Sequence, residues 1–168
     1  MADETANGAA SAQQPTAQLV VQKIYVKDAS FEAPNAPLIF QQEGQPNLQL
    51  NLSQKVSTLN ENLYEVVLSL TLTCTLAEKN AYLVEVQQAG IFGIVGFDQA
   101  NLEAVLSTYC PNALFPYARQ MISDMVQNGG FPPYLLQPIN FEQLYAEQLR
   151  RRADQVSMPM TTLEAGNA

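Results

Sequence analysis

The side chains that could carry out chemistry in this chain are mainly carboxylates. The sequence holds 16 Asp and Glu against 8 Lys and Arg, for a net charge of -8, and it contains no His. Without His there can be no Ser-His-Asp or Cys-His nucleophile pair, no histidine general base and no histidine metal ligand. The negative charge also argues against binding a nucleic-acid backbone, because that binding depends on Lys and Arg neutralising phosphates.

The remaining reactive side chains are not spaced like a catalytic or metal site. Glu61 and Glu65 are four residues apart, but their stretch has the pattern of a strand, so they do not form an acid–base pair on one helix face. Cys74 and Cys110 do not form a CxxC motif, and the sequence favours two free buried thiols over a disulfide. We therefore expect a protein that is not an enzyme and that needs no metal and no cofactor.

Two short motifs indicate a function only weakly. Gly90, Gly93 and Gly96 could cradle a phosphate, but no Gly-Lys-Ser/Thr follows, so a flexible turn leaving a strand is the favoured interpretation. The basic cluster Arg150-Arg151-Arg152 fits either the C-terminus of a helix, where cations suit the dipole, or a contact with an anionic partner.

The first half of the chain has the pattern of β-strands. In the best of them, Tyr64 to Leu76 are apolar at every second position, while Thr and Ser fill most of the alternate positions. Val20, Ile24 and Val26 share one parity in an earlier strand. The strands predicted in this half cover residues 19–28, 48–52, 63–76 and 81–89. Residues 31–37, with two prolines in four residues, predict a loop or crossover.

The second half has the pattern of helices, so the fold class is α+β. Asp98 is placed to cap a first helix, which Pro111 and Pro116 should interrupt. Pro116 could occupy the first turn of the next helix, which Asn128-Gly129-Gly130 should end. Asn140 is placed to cap a last helix, with a possible capping box.

The sequence predicts one folded domain between two tails. Residues 1–18 and 153–168 are small and polar and are expected to be flexible, which leaves 19–152 for the domain. The N-terminus lacks the basic and apolar regions of a signal peptide, and no apolar run approaches the length of a membrane span. A soluble cytoplasmic protein is expected.

Two features of the sequence could serve binding or assembly as well as solubility. Between Asp28 and Glu78 there are six acids and one base, so the sheet half should carry a negative field, although solubility alone would explain it equally well. The strand at 81–89 has apolar side chains at both even and odd positions, and therefore on both faces of the sheet. Two helices in one chain would not cover both faces. An apolar face left uncovered favours an oligomer.

Several strings resemble the SecB family of bacterial protein-export chaperones, in order and from about residue 18 to 150. Phe-Glu-Ala-Pro-Asn-Ala-Pro and Cys-Pro-Asn-x-Leu-Phe-Pro-Tyr-Ala-Arg are the most specific. The matching stretches are 24–28, 30–37, 64–68, 84–92 and 109–119.

The resemblance implies both a fold and a function. The family fold is a four-stranded antiparallel sheet followed by a long helix and a short C-terminal helix, assembled into a homotetramer as a dimer of dimers. SecB proteins are ATP-independent holdases that bind unfolded precursor proteins and pass them to the SecA motor for export. Contact with the membrane is then only indirect, through SecA.

The resemblance also assigns roles to residues of this chain. The surface expected to bind the zinc-bearing C-terminal tail of SecA comprises Asp28, Glu32, Leu83 and Glu85. The groove expected to bind unfolded clients is lined by Phe40, Leu48, Leu50, Leu52 and Tyr145, with Phe131 and Tyr134 nearby. The interface between dimers is expected to use Tyr82, Val84, Val86 and Gln88.

A second hypothesis comes from another functional class. The same sheet-and-helix body would suit an oligomeric carrier of apolar ligands or an interaction scaffold. One compact ligand should satisfy a carrier, whereas a holdase must bind unfolded chains stoichiometrically and with little regard to their sequence.

Overall fold

A computed structural model of the chain describes residues 16–157. Most of the predicted tail residues, 1–15 and 158–168, lie outside this range. The elements, in chain order, are β1 (Gln18–Glu32), a short 3-10 helix (Leu38–Gln41), β2 (Asn47–Asn60), β3 (Leu63–Leu76), β4 (Lys79–Val95), α1 (Gln99–Ser107), α2 (Tyr109–Asn128) and α3 (Phe141–Ser157).

The four strands form one antiparallel sheet in the order β1-β4-β3-β2. The hairpin from β3 to β4 turns at Ala77 and Glu78, which both have positive φ, as tight hairpins require. The sheet followed by helices confirms the predicted α+β class.

β3 has the predicted bounds, whereas the other strands are longer than predicted. β1 continues to Glu32, so Phe31 and Glu32 belong to a strand and not to the predicted loop. β2 extends well beyond the predicted 48–52. Pairing with a neighbouring strand stabilises these extensions, although their own sequences alternate poorly.

The predicted glycine-rich turn is also a strand, which corrects the earlier interpretation. β4 continues through Gly90 and Gly93 to Val95. A Cβ on Gly90 would lie 2.9 Å from Cδ2 of Leu114 on α2 and 2.7 Å from the Phe92 ring. Glycine therefore lets the helix and the Phe92 ring pack closely at this point of the sheet.

Two bulges break the alternation of β1. The register against β4 shifts between Val21 and Lys23 and again between Val26 and Asp28. Each bulge inserts one residue and exchanges the faces that the following side chains occupy. Val20 therefore lies on the opposite face from Ile24 and Val26, although the three share one parity in the sequence.

The first helix begins as predicted, but the break that follows is not caused by proline. Asp98 caps α1 by accepting a hydrogen bond from the backbone N of Asn101 at 2.9 Å. The break lies at Thr108, between α1 and α2. Pro111 lies in the first turn of α2, where a missing N–H costs little. Pro116 lies inside α2, which corrects its predicted place in a first turn.

The ends of the later helices follow the predicted signals in part. α2 ends at Asn128, before the two glycines. Asn140 accepts a hydrogen bond from the backbone N of Gln143 at 2.9 Å, but the Gln143 side chain donates to Glu147, so the capping box is incomplete. α3 continues to Ser157, so Arg150–Arg152 lie within the helix and not at its end.

The core lies between one face of the sheet and α2. Val66, Leu68 and Leu72 on β3 are fully buried against it, together with Leu114 and Ile122 on α2. The same face includes a set that was assigned to an interface between dimers: Tyr82, Val84, Val86 and Gln88, which are 0–4% exposed. In one chain these four side chains pack inside the core, and their role at an interface between dimers stays a prediction.

Candidate functional site

An apolar pocket opens at the end of the sheet that α2 does not reach. It is formed where β2 begins, β3 ends and β4 begins, under the loop that joins α2 to α3, and its volume is about 280 Å³. The residues that line it are Gly44, Pro46, Leu48, Cys74, Leu76, Ala81, Tyr82, Phe131, Pro132, Pro133 and Tyr134.

Aromatic rings from separate elements meet beside this pocket. The Phe131 ring lies 4.8 Å from Tyr82, 5.0 Å from Phe40 and 6.3 Å from Phe31, between ring centroids. Phe40 nevertheless keeps 51% of its surface exposed. A large exposed ring beside an apolar pocket can bind aromatic or aliphatic side chains of many sequences.

Burial affects two polar groups of the pocket wall, the Cys74 thiol and the Tyr82 hydroxyl. Burial raises the pKa of the Cys74 thiol above its ordinary value. Burial is also the main cause that raises the pKa of the Tyr82 hydroxyl. Both groups therefore stay protonated, and the two cysteines are free and buried, as predicted. A neutral, apolar pocket favours apolar segments over charged ones.

The predicted client residues are only partly brought together. Leu48, Phe131 and Tyr134 line the pocket, and Phe40 borders it through its contact with Phe131. Leu50 and Leu52 follow Leu48 on the same face of β2, and Leu50 is 38% exposed. Tyr145 lies on α3 and does not line the pocket.

Sequence reasoning missed two walls of the pocket and a ring that packs on one of them. Tyr82 was assigned to an interface, although its ring forms one wall. Pro132 and Pro133 form another wall, and the only signal for them was that Phe131-Pro132-Pro133-Tyr134 could not be helical throughout. Phe31, placed in a loop, packs on Tyr82 with ring centroids 6.0 Å apart.

The four residues predicted to bind SecA do lie together on the opposite face of the sheet. In the register of β1 and β4, Glu32 pairs with Leu83 and Asp28 pairs with Gln87. Glu85 pairs with Ser30, between them, and so lies about 7 Å along the strands from each pair. Asp28, Glu32 and Glu85 are exposed. This acidic surface combines three carboxylates with one partly buried leucine.

A polar cluster of Lys27, Glu65 and Tyr25 lies on the same face of the sheet, next to the acidic surface. Lys27 Nζ lies 2.8 Å from Oε1 and 3.0 Å from Oε2 of Glu65, and the Tyr25 hydroxyl donates to the same carboxylate. The Lys27 hydrogen bond is the main cause that holds the pKa of Glu65 below its ordinary value. The bond to Glu65 is the main cause that raises the pKa of Tyr25 to about 12.

Within residues 16–157, no group of three or more His, Cys, Asp or Glu side chains is placed to hold a metal ion. Over the same residues, no helix combines the length and apolar character that crossing a bilayer requires.

The chain is similar in sequence to one protein family and to its named members. The family model described as preprotein translocase subunit SecB matches residues 11–152. Protein-export protein SecB of Xanthomonas euvesicatoria pv. vesicatoria is 55% identical over 170 residues, covering 100% of both chains. Protein-export protein SecB of Xylella fastidiosa strain Temecula1 is also 55% identical, over 175 residues and 100% of both chains.

A solved structure supports the fold. A SecB-like chaperone of Mycobacterium tuberculosis, in complex with a ChAD peptide from the HigA1 antitoxin, matches with a TM-score of 0.61. The match covers 73% of this chain and 91% of that one, at 18% identity. At this identity the likeness concerns the fold alone.

Proposed function

This chain belongs to the SecB family of protein-export chaperones, and from that premise we propose that it is an ATP-independent holdase. It binds unfolded secretory precursors in the cytoplasm, keeps them competent for translocation and delivers them to SecA. The observation that carries the proposal is the apolar pocket at the uncovered end of the sheet, with the exposed Phe40 ring beside it.

The pocket suits unfolded chains because it rewards apolar surface without a specific polar contact. Burying apolar side chains is worth about 25 cal/mol per Å², whatever their order in the client. β2 is an edge strand of the sheet, so its outer backbone groups are available to an extended segment. Folded proteins hide both apolar side chains and backbone groups, and are therefore not bound.

The acidic surface supports delivery to SecA. Asp28, Glu32 and Glu85 present three carboxylates on the face opposite the pocket. A basic, zinc-bearing tail of SecA would find charge complementarity there, and the zinc would belong to the partner. Such a contact between exposed charges should weaken as salt is added.

We propose that assembly into a tetramer also uses apolar side chains that a single chain leaves exposed. Tyr117 on α2 is 55% exposed and Val26 on β1 is 41% exposed, and both line one shallow groove along the edge of the sheet. Covering such apolar side chains would favour pairing with a second copy, and we propose the dimer of dimers expected of the family as the working form. Native mass spectrometry of the full chain tests it, and a stable monomer would contradict it.

The test of the holdase function is refolding of a denatured, slow-folding secretory precursor without nucleotide. We expect one tetramer per precursor to arrest refolding, smaller amounts to arrest it in proportion, and SecA to release the block. Unchanged refolding at every ratio would refute the holdase function. Saturable binding of one compact apolar molecule, with no effect on refolding, would instead support the ligand carrier.

A further inference from the structure

The position of the acidic surface depends on an irregularity in β1. Asp28 and Glu32 have the same parity in the sequence as Ile24 and Val26, which lie on the face covered by α2. In an unbroken strand, alternation would place both acids on that covered face. They reach the open face because Lys27 is an extra residue: Val26 pairs with Gln88, and the next pair is Asp28 with Gln87.

We infer that Lys27, Glu65 and Tyr25 are positioning residues for the acidic surface, because they hold the bulge that brings Asp28 and Glu32 beside Glu85. The inference rests on the proposed docking of SecA at that surface. It gives these three residues a role although none of them belongs to the surface itself.

The contacts on the open face hold the inserted residue directly. Lys27, the extra residue, binds both carboxylate oxygens of Glu65, at 2.8 and 3.0 Å. Glu65 lies on β3, on the far side of β4, and its side chain is only 12% exposed. Tyr25, two residues before Lys27, donates its hydroxyl to the same carboxylate. Charge-assisted hydrogen bonds of this kind are stronger than neutral ones.

A second contact, from the covered face, fixes the backbone of β1 at the same bulge. Gln88 is 2% exposed, and its Nε2 donates to the backbone oxygen of Tyr25 at 3.0 Å. Gln88 is also the residue that pairs with Val26, just before the register shifts. A buried amide must place its hydrogen bonds inside the protein, so this bond fixes the backbone at the start of the bulge. The bulge is therefore held from both faces of the sheet.

Positioning and simple electrostatics predict opposite results when Lys27 is removed. Replacing Lys27 by Met makes this face more negative, and a through-space effect alone would strengthen binding of a cationic partner. If Lys27 holds the bulge, the same substitution releases Asp28 and Glu32 from their places and binding weakens. The direction of the change therefore separates the two.

The experiment measures the affinity of purified SecA for the full chain by calorimetry, at one fixed salt concentration. We expect Lys27→Met to weaken binding about fivefold to tenfold, since two of three carboxylates lose their position. Lys27→Arg, which keeps the ion pair, should restore it. Lys55→Met is the matched control, because Lys55 is an exposed lysine of β2 near Glu65 that forms no part of the bulge. It should leave binding unchanged or slightly stronger.

Two further readouts keep the outcome clear. Amide exchange of residues 26–32 should quicken in Lys27→Met while β3 stays protected. Loss of protection throughout the sheet would show general unfolding and would overturn a local positioning role.

A pair of charge reversals tests the docking surface itself. Glu85→Lys should weaken SecA binding while Glu61→Lys, in the exposed β2–β3 turn, should not. If Glu85→Lys has no effect, the docking proposal fails. If it weakens binding but Lys27→Met does not, only the positioning inference is overturned.

Discussion

The two faces of the single sheet are built by different physical means. On the covered face, the apolar side chains of the central strands β3 and β4 are mostly buried, and α2 packs on these two strands, whereas those of the edge strands β1 and β2 are partly buried or exposed. On the open face, Thr and Ser of β3 lie beside carboxylates and an ion pair, and order is kept by register and hydrogen bonds. Because α2 ends at Asn128, the covered face continues beyond the helix and becomes the apolar pocket.

This difference separates two kinds of recognition within one strand. Tyr82 and Leu83 are neighbours in the sequence, yet Tyr82 forms a wall of the pocket and Leu83 belongs to the acidic surface. Alternation along β4 therefore places an apolar binding site and a charged one back to back. A change on one face need not disturb the other.

The largest expected effect is on stability, and it tests the contrast between the faces. Leu72 on the covered face of β3 is fully buried, and its neighbour Thr73 lies on the open face. We expect Leu72→Ala to lower the free energy of unfolding by about 3 kcal/mol, because it leaves a cavity. Thr73→Ala should change it by no more than about 0.5 kcal/mol. Urea denaturation at one fixed protein concentration measures both.

Equal losses in the two variants would break the comparison. They would mean that Thr73 is packed as tightly as Leu72, as it would be if another chain covered the open face.

The sequence predicted those strands in which alternation is uninterrupted. β3 has the expected bounds because its apolar side chains keep one parity from Tyr64 to Leu76. β1 is longer than predicted, and residues of one parity do not keep one face, because single residues inserted at two bulges change the alternation. The contacts that hold one bulge come from Glu65 and Gln88, on two other strands. Such long-range hydrogen bonds leave no local signal in β1 itself.

The candidate site was predictable to a similar degree. The resemblance to a known family supplied Leu48, Phe131 and Tyr134, which do line the pocket. Tyr82 was missed as a pocket residue because periodicity shows which face a side chain occupies and not where the covering helix ends. The end of α2 was signalled by its glycines, but the path of the following loop over the sheet was not.

The next effect in size concerns client binding, and it sharpens the difference between the pocket and its surroundings. Phe131 contacts Phe40 and Tyr82, whereas Leu135, in the same loop, is 65% exposed and does not line the pocket. We expect Phe131→Ala to weaken binding of an unfolded precursor about tenfold, since an aromatic surface is lost from the site. Leu135→Ala should have little effect. Fluorescence titration with a labelled precursor compares them.

Similar losses for Phe131→Ala and Leu135→Ala would show that clients bind a diffuse surface of the loop and not the pocket. SecA affinity serves as the internal control, because both residues lie away from the acidic surface.

The smallest effect is a pH dependence that belongs to the open face alone. The Lys27 and Tyr25 hydrogen bonds hold the pKa of Glu65 below its ordinary value of 4.5. A lowered pKa in the folded state adds stability that is complete above the ordinary pKa and is lost as the pH falls through the lower one. The stability gap between the natural chain and Glu65→Gln should therefore be constant near neutral pH and should close in acid. Urea denaturation across a pH series measures the gap.

Lys27→Met provides the control for this pH dependence. In that background, acid should change the stability gap by a smaller amount, because Lys27 is the main cause of the lowered pKa of Glu65. A gap that stays constant into acid would show that the carboxylate is not held by its charge, and the open face would then owe its order to backbone pairing alone.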